Sequence, residues 1–163
     1  ISGVDCNLII SKKRKIKDID YGLVGDIEKI NGGFIKTLLC GNITPVICSL
    51  SHDGKGQILN TNADSVASYI SKEMSIYYDV SLKYCFDKSG VLIDQKNTSS
   101  VLKNINLSYY TELVKEEIIK DGMIPKLDNC FYALKNGVNS VFVGGHDIIK
   151  NNSTKVTLDY WKY

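Results

Sequence analysis

The 163-residue sequence has no long apolar run, no excess of one charge and no paired cysteine spacing, and each absence closes off a class of protein. The longest apolar stretch, over residues 44–50, is far short of the ~20 residues that a membrane-crossing helix needs, so no membrane partner is expected. Lysine and arginine number 20 against 18 acids, a net charge of +2, and no surface field aimed at nucleic acid is indicated. The five cysteines, Cys6, Cys40, Cys48, Cys85 and Cys130, form no C-x-x-C, which removes the usual zinc spacings. Four of them, Cys40, Cys48, Cys85 and Cys130, sit among apolar neighbours. They read as small buried hydrophobes in a reducing, cytoplasmic compartment. Histidine is scarce: His52 and His146 both lie in Gly- and Asp-containing turns, with nothing local to make a Cys-His nucleophile. No basic-then-apolar leader opens the chain. Neither G-x-x-x-x-G-K-[ST] nor G-x-G-x-x-G occurs, so a Walker-type site is excluded and a dinucleotide enzyme has little support.

What is present is globular. Hydrophobic residues make up 44% and charged residues 23%, and the length fits one domain over residues 1–163. Residues 6–30 read as a β-hairpin with a basic turn at Lys12-Lys13-Arg14-Lys15. Asn31 is placed to cap a helix over 32–40, with Gly41 as its left-handed stop. Residues 44–50 form a buried-strand run behind Pro45. A turn at 52–56 and a short strand at 57–60 follow. Ala63, Val66, Ala67, Ile70 and Met74 then recur at helical spacing. A second buried strand is expected at 80–86, a loop at 94–100, a helix from Ser108 through 120, another stopped at Gly137, and a third strand at 138–143. Residues 155–163 read as an edge strand or tail. Alternating helices and buried strands imply an α/β fold with right-handed crossovers and a mainly parallel sheet. Ligands bind such sheets beyond the carboxyl ends of the strands, where the loops 51–64, 87–93 and 144–147 fall.

Two elements stand out there. In Asn60-Thr61-Asn62-Ala63-Asp64, the asparagines share a face of an extended segment and Asp64 sits at a helix start; the trio reads either as helix capping or as a site. In Gly122-Met123-Ile124-Pro125-Lys126, the lysine falls in a first helical turn, where the helix dipole disfavours it. A nearby anion such as phosphate would relieve that conflict; the alternative is an ordinary exposed lysine.

These two elements, with Asp87-Lys88-Ser89-Gly90-Val91-Leu92 between them and Asp20-Tyr21-Gly22-Leu23-Val24-Gly25-Asp26 upstream, resemble the acetylglutamate kinases of the amino acid kinase family. The resemblance runs to about Val143. Tyr84-Cys85-Phe86 and the short C-terminus are similar to Bacteroidetes-type forms. The resemblance implies a three-layer αβα sandwich around a mainly parallel sheet, the carbamate-kinase-like fold. It implies an ATP-dependent kinase that phosphorylates the side-chain carboxylate of N-acetyl-L-glutamate in arginine biosynthesis. Asp64 and Lys126 would be catalytic, Asp64 as orienter and Lys126 as one of two lysines stabilising the transition state. Asn60 would bind the amino-acid substrate. Asp87, Lys88, Ser89, Gly90, Val91 and Leu92, with Ile118, Ile119 and Lys120, would line the nucleotide pocket. The family's Lys-x-Gly-Gly loop, Gly-Gly loop and substrate arginine do not occur in this sequence, which is expected to be the C-terminal, ATP-binding portion. A homo-oligomer is expected.

The chemistry is consistent with so few histidines. The attacking carboxylate has a pKa near ~4.3 and needs no general base. It needs alignment and charge neutralisation, which lysines and Mg²⁺ on the ATP phosphates supply. The residues offer no dedicated carboxylate cage for the metal. A succinylglutamate or carbamoyl-phosphate-type kinase of the same fold, or a nucleotide-binding fragment without turnover, remains open. Asp64, Asn60 and Lys126 are expected to share one cleft.

Overall fold

The computed structural model describes residues 1–150 and 153–159, which divide into two compact units, Ile1–Met74 and Ser75–Tyr163. No described helix is long and apolar enough to cross a membrane.

The first unit is built on the hairpin β1 (Ile9–Ile16) and β2 (Ile19–Ile30). Ile16 pairs with Ile19, so the turn is Lys17-Asp18, with Lys17 at φ +51°. The basic run lies inside β1 and not at the tip. Opposite charges on β2 hold it there: Lys12 meets Glu28 at 3.7 Å, Lys13 meets Asp20 at 3.3 Å, and Arg14 meets Asp26 at 2.6 Å. Helix α1 (Gly32–Cys40) starts as expected, with the Asn31 side chain accepting from the Phe34 N–H at 3.2 Å. Gly41 is not the left-handed stop; it sits at φ −79°, and Asn42 takes the left-handed conformation at φ +58°.

Residues 44–50 are not a buried strand. Among the described residues, Ile1 pairs along residues 46–48, through its amino group to the Val46 carbonyl and its own carbonyl to the Cys48 N–H. Val46 is 82% exposed, because a strand-type sequence is buried only where neighbouring strands flank it. The ladder begins later, with β3 (Leu50–His52) and its antiparallel partner β4 (Ile58–Asn60). β3 runs parallel beside β1 and β4 parallel beside β2, which closes the four strands into a ring. Antiparallel pairing dominates here, because short turns can only return a chain antiparallel. Helix α2 (Ala63–Met74) packs on β2 and α1, burying Val66 and Met74.

The mainly parallel sheet belongs to the second unit. It comprises β5 (Ser81–Cys85), β6 (Asn104–Asn106), β7 (Ser140–Gly144) and β8 (Ser153–Thr157), in the order β5-β7-β8-β6. β5–β7 and β6–β8 are parallel and β7–β8 antiparallel. β8 is an interior strand, not an edge; the rest of that expectation, at 160–163, lies outside the described residues. β6 had no forerunner in the sequence reading. Helix α3 (Leu107–Lys115) is capped by Asn106, not Ser108, and stops before residue 120. Glu117 turns left-handed at φ +57°, and the Ile118 and Ile119 N–H groups fold back to the Leu113 carbonyl. Helix α4 (Met123–Lys135) packs on β7 and β8 through Leu127, Cys130, Phe131 and Ala133 and ends before Gly137, at φ +96°. Tyr110 of α3 stacks on Phe131 at 5.2 Å and donates its hydroxyl to Asp128 at 2.8 Å. Burial and that bond push the phenol well above its ordinary pKa.

Of the four cysteines expected to be buried, Cys130 is, while Cys40, Cys48 and Cys85 are exposed, as is Cys6. For Cys85 the cause is strand alternation: Leu82 and Tyr84 face inward, so Ser81, Lys83 and Cys85 face outward. Two substitutions separate the core from the misread run. Leu127→Ala, at a fully buried site, should lower the urea-unfolding free energy by ~2–5 kcal/mol. Val46→Ser should change it by less than ~0.5 kcal/mol.

Candidate functional site

β5 and β7 are parallel neighbours, and both end at one edge of the second sheet. Past Cys85 the chain leaves the sheet, tied by the Phe86 N–H to the Gly144 carbonyl at 3.0 Å. The Gly145 backbone lies beside the Lys88 carbonyl, so the two loops run side by side. Beside this exit lies a cavity of about 330 Å³. One wall is Phe86, Asp87, Lys88 and Gln95; the other is Lys120, Asp121, Gly122, Met123 and Lys126. The position matches the expectation for ligand sites at the carboxyl ends of parallel strands.

The second wall comes from the start of α4. Asp121 turns left-handed at φ +51°, the Met123 N–H donates to the Lys120 carbonyl, and Gly122 caps the helix with no side-chain bond. Lys126 therefore stands in the first turn. Its Nζ lies 5.4 Å from the Tyr84 ring centroid and 5.9 Å from that of Phe86. Lys88 donates to Gln95 across the first wall. Three ammonium groups, Lys88, Lys120 and Lys126, face two carboxylates, Asp87 and Asp121, so the lining carries one net positive charge. Such a lining suits a phosphate-bearing ligand.

In the first unit, the Asn60–Asp64 segment is held by β4. Thr61 is buried, its N–H donating to the Ser49 carbonyl at 2.9 Å and its hydroxyl paired with that of Ser51 at 2.7 Å. Asn62 accepts from the Ser65 N–H at 2.9 Å, so the capping reading is right for Asn62. Asp64 is the second residue of α2, half-buried, and its carbonyl accepts from the Ser68 hydroxyl at 2.9 Å. Asn60 is exposed at the end of β4. A crevice of about 80 Å³ opens beside them, between the Arg14–Asp26 pair and Thr61, Asn62 and Ser65. The β3–β4 turn is set by Asp53, whose Oδ1 accepts from the N–H groups of Lys55 at 2.7 Å and Gln57 at 3.1 Å. Those two bonds hold the Asp53 carboxyl below its ordinary pKa.

Of the residues expected at the nucleotide pocket, Asp87, Lys88 and Lys120 line the cavity, together with Lys126. Ser89 is exposed outside it; Gly90, Val91, Leu92 and Ile119 are buried, and neither they nor Ile118 line it. Asn60 and Asp64 belong to the first unit. Of the other lining residues, Gly122 and Met123 belong to the element that ends in Lys126 but carried no expected role, while Phe86 and Asp121 directly adjoin the expected Asp87 and Lys120; Gln95 gave no signal.

The amino acid kinase family profile matches residues 1–145. An acetylglutamate kinase of Phocaeicola vulgatus is 48% identical over 143 residues, covering 88% of this chain and 56% of that protein. The chain thus spans about half the length of the curated relatives it matches. Among solved structures, smu.665 of Streptococcus mutans superposes with a TM-score of 0.76 at 28% identity, over 94% of this chain and 58% of that one. A carbamate kinase of Giardia lamblia, bound to AMP-PNP, shares the fold at 21% identity, with a TM-score of 0.62 over 83% of this chain and 47% of that one.

The Asp53 bonds set a pH dependence. Because its folded pKa is depressed, the contribution is present above the ordinary aspartate pKa and lost as pH falls through the folded value. Carboxyl-detected NMR should give Asp53 a midpoint below the ordinary aspartate range. Asp53→Ala should speed amide exchange at Lys55 and Gln57 at neutral pH, while leaving the second unit unchanged.

Proposed function

The chain belongs to the amino acid kinase family, and on that premise we propose that residues 1–163 form the ATP-binding portion of an N-acetylglutamate kinase. The supporting observation is the cavity in which Lys88, Lys120 and Lys126 meet at the carboxyl ends of β5 and β7. The two compact units are read as parts of one family domain, since the family match spans both.

In this reading the cavity takes the phosphate end of ATP. The γ-phosphoryl passes to the side-chain carboxylate of N-acetyl-L-glutamate, giving an acyl phosphate and ADP. The carboxylate is already ionised, so the chain contributes position and charge. Lys126 stands where negative charge spreads over the transferring group, and its ammonium group adds to the net positive lining there. Asp64 orients ammonium groups and Asn60 holds the amino-acid substrate. A Mg²⁺ that arrives on the nucleotide phosphates would supply further neutralisation there. A cytoplasmic homo-oligomer goes with this biosynthetic role.

A second reading, nucleotide binding without turnover, is favoured for residues 1–163 taken alone, because they span 56% of the Phocaeicola vulgatus enzyme. Acetyl and succinyl acceptors, or a carbamoyl-phosphate-type reaction, differ on the substrate side of the same chemistry.

Calorimetric titration of the 163-residue chain tests the nucleotide site. Affinity should rise from adenosine to ADP to ATP, and Lys126→Ala should flatten that rise. Equal affinity for all three ligands, or an unaffected Lys126→Ala, would refute the phosphate role. In the complete enzyme, Lys126→Ala should lower kcat by ~10²–10³ with a smaller change in the KM for the acyl amino acid.

A further inference from the structure

We propose that Thr154 of β8 is a positioning residue for the cavity wall at Phe86–Gln95, acting through one buried hydroxyl that latches the 86–102 excursion to the sheet. The proposal rests on the nucleotide-binding reading of that cavity.

The wall is carried by a segment that leaves the sheet after β5 and returns at β6. Within it, Leu92 and Val101 form an antiparallel bridge, the Leu102 N–H donates to the Val91 carbonyl at 2.8 Å, and the Ile93 N–H donates to the Ser100 carbonyl at 3.0 Å. This small ladder holds itself together, but its own bonds do not fix where it sits on the sheet. Just past it the Lys155 N–H donates to the Lys103 carbonyl at 2.9 Å; the ladder itself is tied to β8 by the Thr154 hydroxyl. Its Oγ1 accepts from the Val91 N–H at 2.8 Å and donates to the Leu102 carbonyl at 2.7 Å, so one oxygen grips both strands of the ladder. Thr154 has no exposed surface, and these bonds span 63 and 52 residues of sequence.

Gly90 is fitted to the same contact. A β-carbon there would lie 2.6 Å from Thr154 Oγ1 and 2.7 Å from Val101 Cγ1. Only a bare backbone lets the segment come close enough for the Val91 bond. The two cavity-lining residues flank the latched point: Lys88 lies just before Gly90, Gln95 just after the ladder strand, and the two bond to each other. Releasing the latch leaves the buried Val91 N–H without an acceptor and frees the stretch that sets Lys88 against the cavity. An unsatisfied buried donor costs ~1–3 kcal/mol, which at its midpoint corresponds to roughly thirtyfold in a local opening equilibrium.

The test compares Thr154→Val, which keeps the shape and loses both bonds, with Thr154→Ser, which keeps the hydroxyl. Amide exchange at Val91, with Val141 as a core reference, and ATP affinity are measured on the 163-residue chain. Thr154→Val should speed Val91 exchange by at least tenfold relative to Val141, shift the Lys88 and Gln95 amide resonances, and weaken ATP binding about tenfold. Thr154→Ser should stay within about twofold of the parent in each. Gly90→Ala, which disturbs the contact from the other side, should reproduce the Thr154→Val pattern. The latch is overturned if Thr154→Val leaves Val91 protection and ATP affinity unchanged, if Val91 and Val141 lose protection equally, or if serine does not rescue. Absence of ATP binding by the parent chain would instead defeat the nucleotide reading, and the exchange and resonance results would then decide the latch alone.

Discussion

The candidate site depends on where one charge is held. Lys126 carries its positive charge in the first turn of α4, where the helix's own N–H groups already present positive potential. The rings of Tyr84 and Phe86 offer their faces at 5.4 and 5.9 Å, which offsets part of the cost. Lys88 and Lys120 add to the same region. With Asp87 and Asp121 in the same lining, one net positive charge remains, which suits a phosphate-bearing ligand.

The second unit is organised around keeping those charges in place. The parallel pair β5–β7 brings two strand ends together, and the Phe86 N–H bond to the Gly144 carbonyl holds the loop after β5 against the end of β7. On the other side, Tyr110 ties α3 to α4 through Phe131 and Asp128, two residues beyond Lys126. The first unit follows a different rule: its long β1–β2 hairpin is stitched by cross-strand ion pairs, β3 and β4 close the ring, and Asn60 and Asp64 stand at the junction of β4 and α2.

What the sequence disclosed follows from which forces are local. Asn31 and the apolar spacing behind it define α1 to the residue, and Asn62 announces α2, because a cap and its helix lie within a few positions. The loop after β5 and the Gly122–Lys126 element were legible for the same reason. Residues 44–50 misled, because their β-forming side chains say nothing about whether strands flank them, and Val46 is left in solvent. The exposed cysteines misled in the same way, since local hydrophobicity does not report strand phase. β6, the interior place of β8 and the grip of Thr154 on residues 91 and 102 depend on partners dozens of positions away, and no local pattern carries them.

The most direct test of the phosphate-binding cavity is a ¹⁵N-resolved NMR titration of the 163-residue chain with Mg²⁺-ATP. The account predicts saturable amide shifts within the second unit that concentrate at residues 86–88, 95 and 120–126. Shifts that centre on the basic hairpin at residues 13–20, or none at millimolar nucleotide, would contradict it.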